Sequence, residues 1–358
     1  MMLKPRSAKD FPVSSFSVDL GSGYVMCGVC ERRCLLKEGE KGYCGNRVNV
    51  DGEIRVIGYG ILSAIESRPI EIKPLFHFWP NSTALTFSNW GCNFHCPWCQ
   101  NYHLSFQTPD IKWGKTYSPE KIVKMALRNG DEGLCASFNE PTTQLEYLID
   151  VFKLAKKKGL YNTIVSNGYM TFSALEALYE VGLDGLNFDI KGCYETYNKF
   201  IGALDPMIVF RNAKRALDLG IHVEIVYLMV TKANDWDECL RWVLKRHVDV
   251  LGESVPLHIN RYYPAWKYYE PPTDVNKLIA AYNIAKEEYN IEYVYVGNIG
   301  DWRYETTYCP KCGKPLIIRA GYRVLEYHVT NDNKCPYCNA KINIVGKFIR
   351  NKMTILPF

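Results

Sequence analysis

The sequence lacks the long apolar runs of a membrane protein. None of its stretches approaches the roughly 20 consecutive apolar residues that a membrane-spanning helix needs, and its first residues contain no apolar core of a signal peptide. A strong charge of one sign is also missing, because 43 lysines and arginines are interspersed with 38 aspartates and glutamates. This balance makes nucleic acid an unlikely partner. We expect a cytoplasmic globular protein with no membrane partner.

Isolated cysteines are few. Of the 14 cysteines, only Cys135, Cys193 and Cys239 stand apart from three closely spaced groups. Grouped cysteines in a long chain of cytosolic character are more typical of metal sites than of a disulfide framework. We therefore predict three metal-binding segments.

Strand-like apolar segments alternate with segments of helical period between about residues 82 and 300. Repeated strand and helix units predict parallel strands joined by crossover helices. About six units precede the last strand, fewer than the eight that close a full barrel, so we predict a partial (βα)6 TIM-type barrel. The predicted division is a cysteine-rich metal-binding segment at 1–80, the barrel at 81–302 and a zinc-ribbon-like domain at 303–358.

Three cysteines lie in the short segment NWGCNFHCPWCQN at residues 89–101, directly after the first predicted barrel strand. A cubane iron-sulfur cluster has four irons, each of which takes a thiolate. Cys92, Cys96 and Cys99 would leave one iron open, as a catalytic zinc keeps one open position. The alternative is a tetrahedral zinc with His95 or His103 as fourth ligand, although neither histidine has the spacing of a common zinc motif.

The spacing C-x3-C-x2-C, with Trp98 before the last cysteine, resembles the signature of the radical S-adenosylmethionine (radical SAM) superfamily. The resemblance implies a 4Fe-4S cluster whose open iron binds the amino and carboxylate groups of S-adenosylmethionine (SAM). An electron from the cluster would cleave SAM to methionine and a 5'-deoxyadenosyl radical, which abstracts a hydrogen atom from the substrate. The implied protein is an oxidoreductase that positions this cofactor and excludes water.

Further motifs resemble the activating enzymes of glycyl radical enzymes, such as pyruvate formate-lyase activating enzyme. They are SFNEP at 137–141, VSNGY at 165–169 and NFDIKG at 187–192. The resemblance assigns SAM contacts to Trp98, Asn139, Glu140, Ser166, Asn167, Asp189 and Lys191. Other interpretations stay open, because Asn-Glu-Pro also begins helices and because an Asp-x-Lys pair can form a buried ion pair.

Over nearly the whole chain, these segments together resemble the radical SAM proteins of the AmmeMemoRadiSam system, which are relatives of pyruvate formate-lyase activating enzyme. Such proteins are encoded alongside AMMECR-type and Memo-type proteins, which are therefore expected partners. An electron donor such as ferredoxin or flavodoxin is expected too. The resemblance implies the reaction class but not the substrate, which is either a partner protein or a small molecule, lipid or RNA.

The last cysteine group has the C-x2-C pairs of a zinc ribbon and consists of Cys309, Cys312, Cys335 and Cys338. A structural zinc would stabilise a small domain with little core of its own. A rubredoxin-like iron that relays electrons has the same ligand set and is the alternative.

The first cysteine group fits either zinc or an auxiliary iron-sulfur cluster and consists of Cys27, Cys30, Cys34 and Cys44. A cluster would conduct electrons to the active site, whereas zinc would only hold the segment together. The rival to the whole catalytic interpretation is a non-catalytic protein with zinc in all three groups. Such a protein would contact nucleic acid or protein through its zinc ribbon.

Three weaker candidates for functional residues stand near the ends of later predicted strands. Cys193 is a hydrogen-donor candidate, although a lone cysteine is more often a small buried hydrophobic residue. His258 and Arg261 are candidates for contact with substrate or cofactor. Their alternative role is structural hydrogen bonding in a tyrosine-rich loop.

Overall fold

A computed structural model describes residues 5–203 and 205–350, so the outermost residues of the predicted terminal domains lie outside the described residues. The chain divides into two compact units. The first unit is Met1–Ser67 with Ala84–Asp184, and the second is Arg68–Thr83 with Gly185–Phe358. Among the helices of the described residues, none has the length and apolar character to cross a membrane.

Short antiparallel strands begin the first unit. They are β1 Ser17–Asp19, β2 Val25–Cys27, β3 Leu35–Leu36, β4 Arg47–Val50 and β5 Glu53–Val56. Strands β1, β2 and β3 form one sheet, and β4 pairs with β5. Cys27 ends β2, and the other three cysteines of the first group lie in the connections between these strands.

Further strands and helices form the rest of the first unit. In chain order they are β6 Ala64–Pro69, which runs across the unit boundary, β7 Thr83–Ser88, α1 Tyr102–Ser105, α2 Pro119–Asn129, β8 Gly133–Ala136, α3 Leu145–Lys157, β9 Tyr161–Ser166 and α4 Phe172–Glu180. Strands β7, β8 and β9 pair in parallel. Every residue of β7 and β8 is buried, as expected for strands covered on both faces.

A buried ion pair ties the cysteine-rich segment to α3. Arg47 Nη2 lies 2.5 Å from Glu146 Oε2, Arg47 Nη1 lies 3.0 Å from Oε1, and Ser14 Oγ completes the cluster. The two side chains are only 2% and 11% exposed. Burial alone would raise the pKa of Glu146, but the Arg47 guanidinium holds that pKa below its usual value.

Replacing Arg47 by methionine should lower the free energy of unfolding by about 3–5 kcal/mol, because it leaves a buried carboxylate without its cation. Since the folded-state pKa of Glu146 is depressed, the stability that this pair contributes is present at neutral pH and is lost as the pH falls through that pKa. Urea unfolding of the wild type and of R47M, at pH 7 and at acid pH below the usual glutamate pKa of 4.5, measures both effects. The matched control is R128M at an exposed position of α2. Equal losses in the two variants would contradict the prediction.

The second unit has its own set of parallel strands and helices. In chain order they are β10 Gly185–Ile190, α5 Tyr194–Thr196, α6 Met207–Asp218, β11 His222–Met229, α7 Asp237–Leu251, β12 Leu257–Arg261, α8 Val275–Glu287 and β13 Val294–Gly297. Strands β10 to β13 pair in parallel in this order. The predicted α/β class with a parallel-sheet core is confirmed.

His258 belongs to a buried polar network in the second unit. The Glu224 carboxylate lies 2.7 Å from His258 Nε2 and 2.9 Å from His222 Nε2, and it accepts from the His77 backbone N–H at 2.7 Å. His258 is 2% exposed. Arg261 donates from Nε to the Thr273 carbonyl at 2.9 Å. Both residues therefore make structural hydrogen bonds, as the alternative interpretation anticipates.

The second unit ends in a small antiparallel sheet of three strands. They are β14 Thr307–Tyr308, β15 Pro315–Ala320 and β16 Arg323–Tyr327. Its buried hydrophobic cluster is small and includes two cysteines of the last group: Cys309, Leu316, Ile317, Val329, Cys335, Ile342 and Ile344.

Candidate functional site

The segment at 89–101, here called the cysteine loop, connects the carboxyl end of β7 to α1. The Cys99 N–H donates to the Cys96 carbonyl at 3.1 Å, so these two cysteines share one tight turn. Gly91 has a φ of +78°, and a Cβ there would lie 2.0 Å from the carbonyl oxygen of Cys44. Only glycine allows this close approach of the first cysteine group to the cysteine loop.

Cys92 lies in an environment suited to a metal-bound thiolate. Its Sγ accepts from the Phe94 N–H at 3.4 Å, and Asn167 Nδ2 lies 4.0 Å away. Burial raises the pKa of the Cys92 thiol well above its usual value, and the charges of Glu140, Cys96 and Cys99 raise it further. Three thiolates gathered this way repel one another unless a cation neutralises them, and metal binding supplies that cation.

The cysteine loop does not have the geometry of a single tetrahedral ion. Within the part of the chain that the structure describes, three or more ligand atoms of His, Cys, Asp or Glu come within 4.8 Å of one another at the last cysteine group alone. Zn–S bonds of about 2.3 Å put the sulfurs of one tetrahedral site about 3.8 Å apart. The zinc alternative with His95 or His103 stays a prediction. A cubane cluster, with one cysteine on each iron, needs a wider spacing.

Glu140 joins the SFNEP and VSNGY turns. Its carboxylate, 1% exposed, accepts from the Ser166 hydroxyl at 3.0 Å, from the Asn167 N–H at 2.9 Å, and from the Thr142 N–H and hydroxyl at 3.1 and 2.6 Å. Burial raises the pKa of this carboxyl, and these donors oppose the rise. The structure thus brings Glu140, Ser166 and Asn167 together beside Cys92, with the carboxylate engaged by protein donors.

The SFNEP turn and the cysteine loop are joined by side-chain hydrogen bonds. Asn139 Nδ2 donates to the carbonyls of Asn89 and Gly91, both at 2.8 Å. In return, Asn101 Nδ2 donates to the Phe138 carbonyl at 2.6 Å. Phe138 has a φ of +71°, a conformation that favours glycine.

Replacing Glu140 by glutamine should lower the free energy of unfolding by about 1–3 kcal/mol, because the new amide NH2 faces N–H and O–H donors. Since Ser166 and Asn167 then lose their anchor beside Cys92, we also expect the rate of SAM cleavage to fall about 10- to 100-fold, as for outer-shell partners of metal ligands. Urea unfolding and a 5'-deoxyadenosine assay measure the two effects. The control is E180Q at an exposed position of α4. Wild-type stability in E140Q would contradict the prediction.

The other candidate SAM contacts have different surroundings. Trp98 is 3% exposed, so its side chain is buried. Asp189 and Lys191 belong to the second unit, where Lys191 Nζ and Asp189 Oδ2 form an ion pair with side chains 13% and 25% exposed. This is the pair that the alternative interpretation anticipates. Contact of these residues with SAM stays a prediction.

Cys193 is hydrogen-bonded to another residue of the second unit. Its backbone N–H donates to Cys239 Sγ at 3.1 Å, and its own Sγ lies 3.8 Å from the Thr196 hydroxyl. The hydrogen bond from Cys239 is the main reason that the pKa of Cys193 falls to about 6. A hydrogen-donor role for Cys193 stays a prediction.

The first cysteine group surrounds one enclosed cavity in the first unit, which Arg47 and Asn93 also line. Burial raises the pKa of Cys30 to about 12 and that of Cys44 to about 11. Asn93 and Arg32 connect this group to the cysteine loop, because Arg32 Nε donates to the Asn93 carbonyl. The sequence interpretation missed both residues, although each stands within a cysteine motif.

The last cysteine group forms two similar turns. In the first turn the Gly313 N–H donates to the Cys309 carbonyl, and in the second the Asn339 N–H donates to the Cys335 carbonyl, both at 2.9 Å. Gly313 and Asn339 both have positive φ. Two Sγ pairs lie 3.6 and 3.7 Å apart, close to the edge of a tetrahedral zinc site of about 3.8 Å. The residues present therefore fit zinc.

Comparisons with known proteins identify relatives of this chain. A profile of the radical SAM superfamily matches residues 90–243. The chain is 38% identical over 333 residues to the uncharacterized protein MJ0808 of Methanocaldococcus jannaschii, covering 92% of this chain and 98% of that protein. It is 27% identical over 186 residues to the pyruvate formate-lyase-activating enzyme of Clostridium pasteurianum, covering 48% and 75%. A crystal structure of a domain of pyruvate-formate lyase-activating enzyme from Bacteroides vulgatus matches with a TM-score of 0.40 and 12% identity, covering 46% of this chain and 99% of that one.

Proposed function

We propose that this chain, which belongs to the radical SAM superfamily, binds a 4Fe-4S cluster at Cys92, Cys96 and Cys99 and cleaves SAM there. The observation that carries the proposal is the gathering of three cysteines on one loop at the carboxyl end of β7. Sites of parallel α/β folds form at these ends of the strands.

The residues around the cysteine loop have definite tasks in this proposal. When bound, the cluster supplies the electron that splits SAM into methionine and a 5'-deoxyadenosyl radical. The Phe94 N–H stabilises the Cys92 thiolate, and Asn139 fixes the loop carbonyls. Glu140 holds Ser166 and Asn167 in place, because its own carboxylate is engaged by their donors. Burial of these groups excludes water from the site.

The remaining assignments are parts of the same proposal. Each of seven residues is a proposed SAM contact: Trp98, Asn139, Glu140, Ser166, Asn167, Asp189 and Lys191. Structural zinc is the metal proposed for the last cysteine group. Similarity to a pyruvate formate-lyase-activating enzyme supports an activating oxidoreductase that abstracts hydrogen from a partner protein. An electron donor of the ferredoxin or flavodoxin class, and AMMECR-type and Memo-type proteins, are the proposed partners in the cytoplasm.

Anaerobic incubation with dithionite and SAM tests the proposal. We expect a brown, oxygen-sensitive protein that releases 5'-deoxyadenosine and methionine, both measured by liquid chromatography and mass spectrometry. A colourless protein that contains only zinc and leaves SAM intact would support the non-catalytic zinc-binding rival instead.

A further inference from the structure

We propose that the first cysteine group, Cys27, Cys30, Cys34 and Cys44, holds a second iron-sulfur cluster instead of zinc, and that this cluster passes electrons to the cysteine loop. The presence of the second cluster is independent of SAM cleavage. Its electron-transfer role rests on the proposed function.

The spacing of the thiols separates the first cysteine group from the last one. The four thiols of the last group lie within 4.8 Å of one another, as one ion requires. Among the described residues, no three thiols of the first group meet the same limit, although all four line one enclosed cavity. Thiols that share a cavity at wider spacing suit a group of several metal atoms, with one cysteine on each iron.

A buried donor is directed at this cavity. Asn93 is 1% exposed, and among the described residues its Nδ2 meets no acceptor at full hydrogen-bond geometry, so the nearby Cys30 thiol is a weak, poorly aligned partner. The side chain faces the Cys30 thiol. An unpartnered buried amide costs free energy unless it finds an acceptor, and N–H groups directed at the sulfurs are among the features that set the potential of iron-sulfur clusters. The cationic Arg47 also faces Cys27 and Cys44 and offsets their negative charge when they bind metal.

Asn93 also connects the two cysteine groups. It follows Cys92 in the chain, and its Oδ1 lies 3.9 Å from Cys92 Sγ. One residue therefore touches a thiol of each group, and Arg32 from the first group donates to its carbonyl. In the transfer step, a low-potential one-electron donor reduces the second cluster, which is oxidised again when the electron passes to the cluster of the cysteine loop. No bond or proton changes place.

The triple variant C92S/C96S/C99S tests for the second cluster without requiring activity. After anaerobic reconstitution we expect about four irons per chain, one zinc, and an electron paramagnetic resonance (EPR) signal on reduction. Two zincs per chain without iron, or an empty first group, would overturn the proposal. C135S should leave the metal content of the wild type unchanged, since Cys135 lies in β8 outside all groups.

If the triple variant does not fold, the metal content of the full-length wild type tests the proposal instead. About eight irons and one zinc per chain support the second cluster, whereas about four irons and two zincs overturn it. For the electron-transfer role, we expect the EPR spectrum of reduced wild type to differ from the sum of the spectra of C92S/C96S/C99S and C27S/C30S. A simple sum would overturn that role. Eight irons without SAM cleavage would refute the proposed function and leave the second cluster intact.

Discussion

We expect Cys96→Ala to lower the proposed 5'-deoxyadenosine release more than about 1,000-fold, to the background of the assay, when the variant is reconstituted and reduced like the wild type. Loss of an outer-shell partner of a metal site lowers metal affinity or activity about 10- to 100-fold, and we expect loss of a direct ligand to lower it further. Cys96 is 9% exposed and shares its turn with Cys99. Quantitative mass spectrometry of the nucleoside measures the effect.

The matched control is Cys135→Ala. Cys135 is fully buried in β8 of the same unit, so the change removes the same side chain from a similar depth without touching a predicted ligand. We expect C135A to keep its iron and its SAM cleavage with a modest loss of stability. Turnover by C96A at the rate of C135A would refute the assignment of the cysteine loop.

Local patterns predicted most of the fold. Strand and helix alternation depends on the period of apolar residues, which is read within one segment, and the parallel core of each unit follows from it. The cysteine groups can be recognised from the local sequence as well, since their cysteines stand in closely spaced pairs or triplets. The bounds of the units were not predictable, because residues 68–83 pack with a part of the chain that begins more than 100 residues later.

Contacts between distant segments were not predictable. Arg47 and Glu146 are 99 positions apart, and nothing in either neighbourhood indicates that one would bury its charge against the other. The sequence analysis did not single out Asn93, which stands between Cys92 and Cys96, because an asparagine in a loop usually forms part of a turn. The sequence motifs identified Glu140, Ser166 and Asn167. They did not reveal that the Glu140 carboxylate accepts hydrogen bonds from the other two residues. Roles of buried polar groups depend on which donors the fold brings to them.

Removal of the C-terminal metal should unfold the small sheet of β14, β15 and β16. Two of the seven residues in its buried cluster are predicted ligands, Cys309 and Cys335, so the core is too small to persist alone. Structural zinc sites supply an apparent binding free energy of about 10–16 kcal/mol that appears as folding free energy. In Cys335→Ala we therefore expect one zinc fewer per chain and loss of hydrogen-exchange protection for the amides of β15 and β16.

The comparison with Cys239→Ala separates loss of zinc from loss of a buried side chain. Cys239 is fully buried in α7 of the same unit but belongs to no cysteine group, so C239A should keep its zinc and the protection of the small sheet. Because zinc needs deprotonated thiols, wild-type protein treated with a chelator at mildly acid pH should reproduce the exchange pattern of C335A. If β15 stays protected in C335A after its zinc is lost, the hydrophobic cluster alone holds the sheet and the metal has another role.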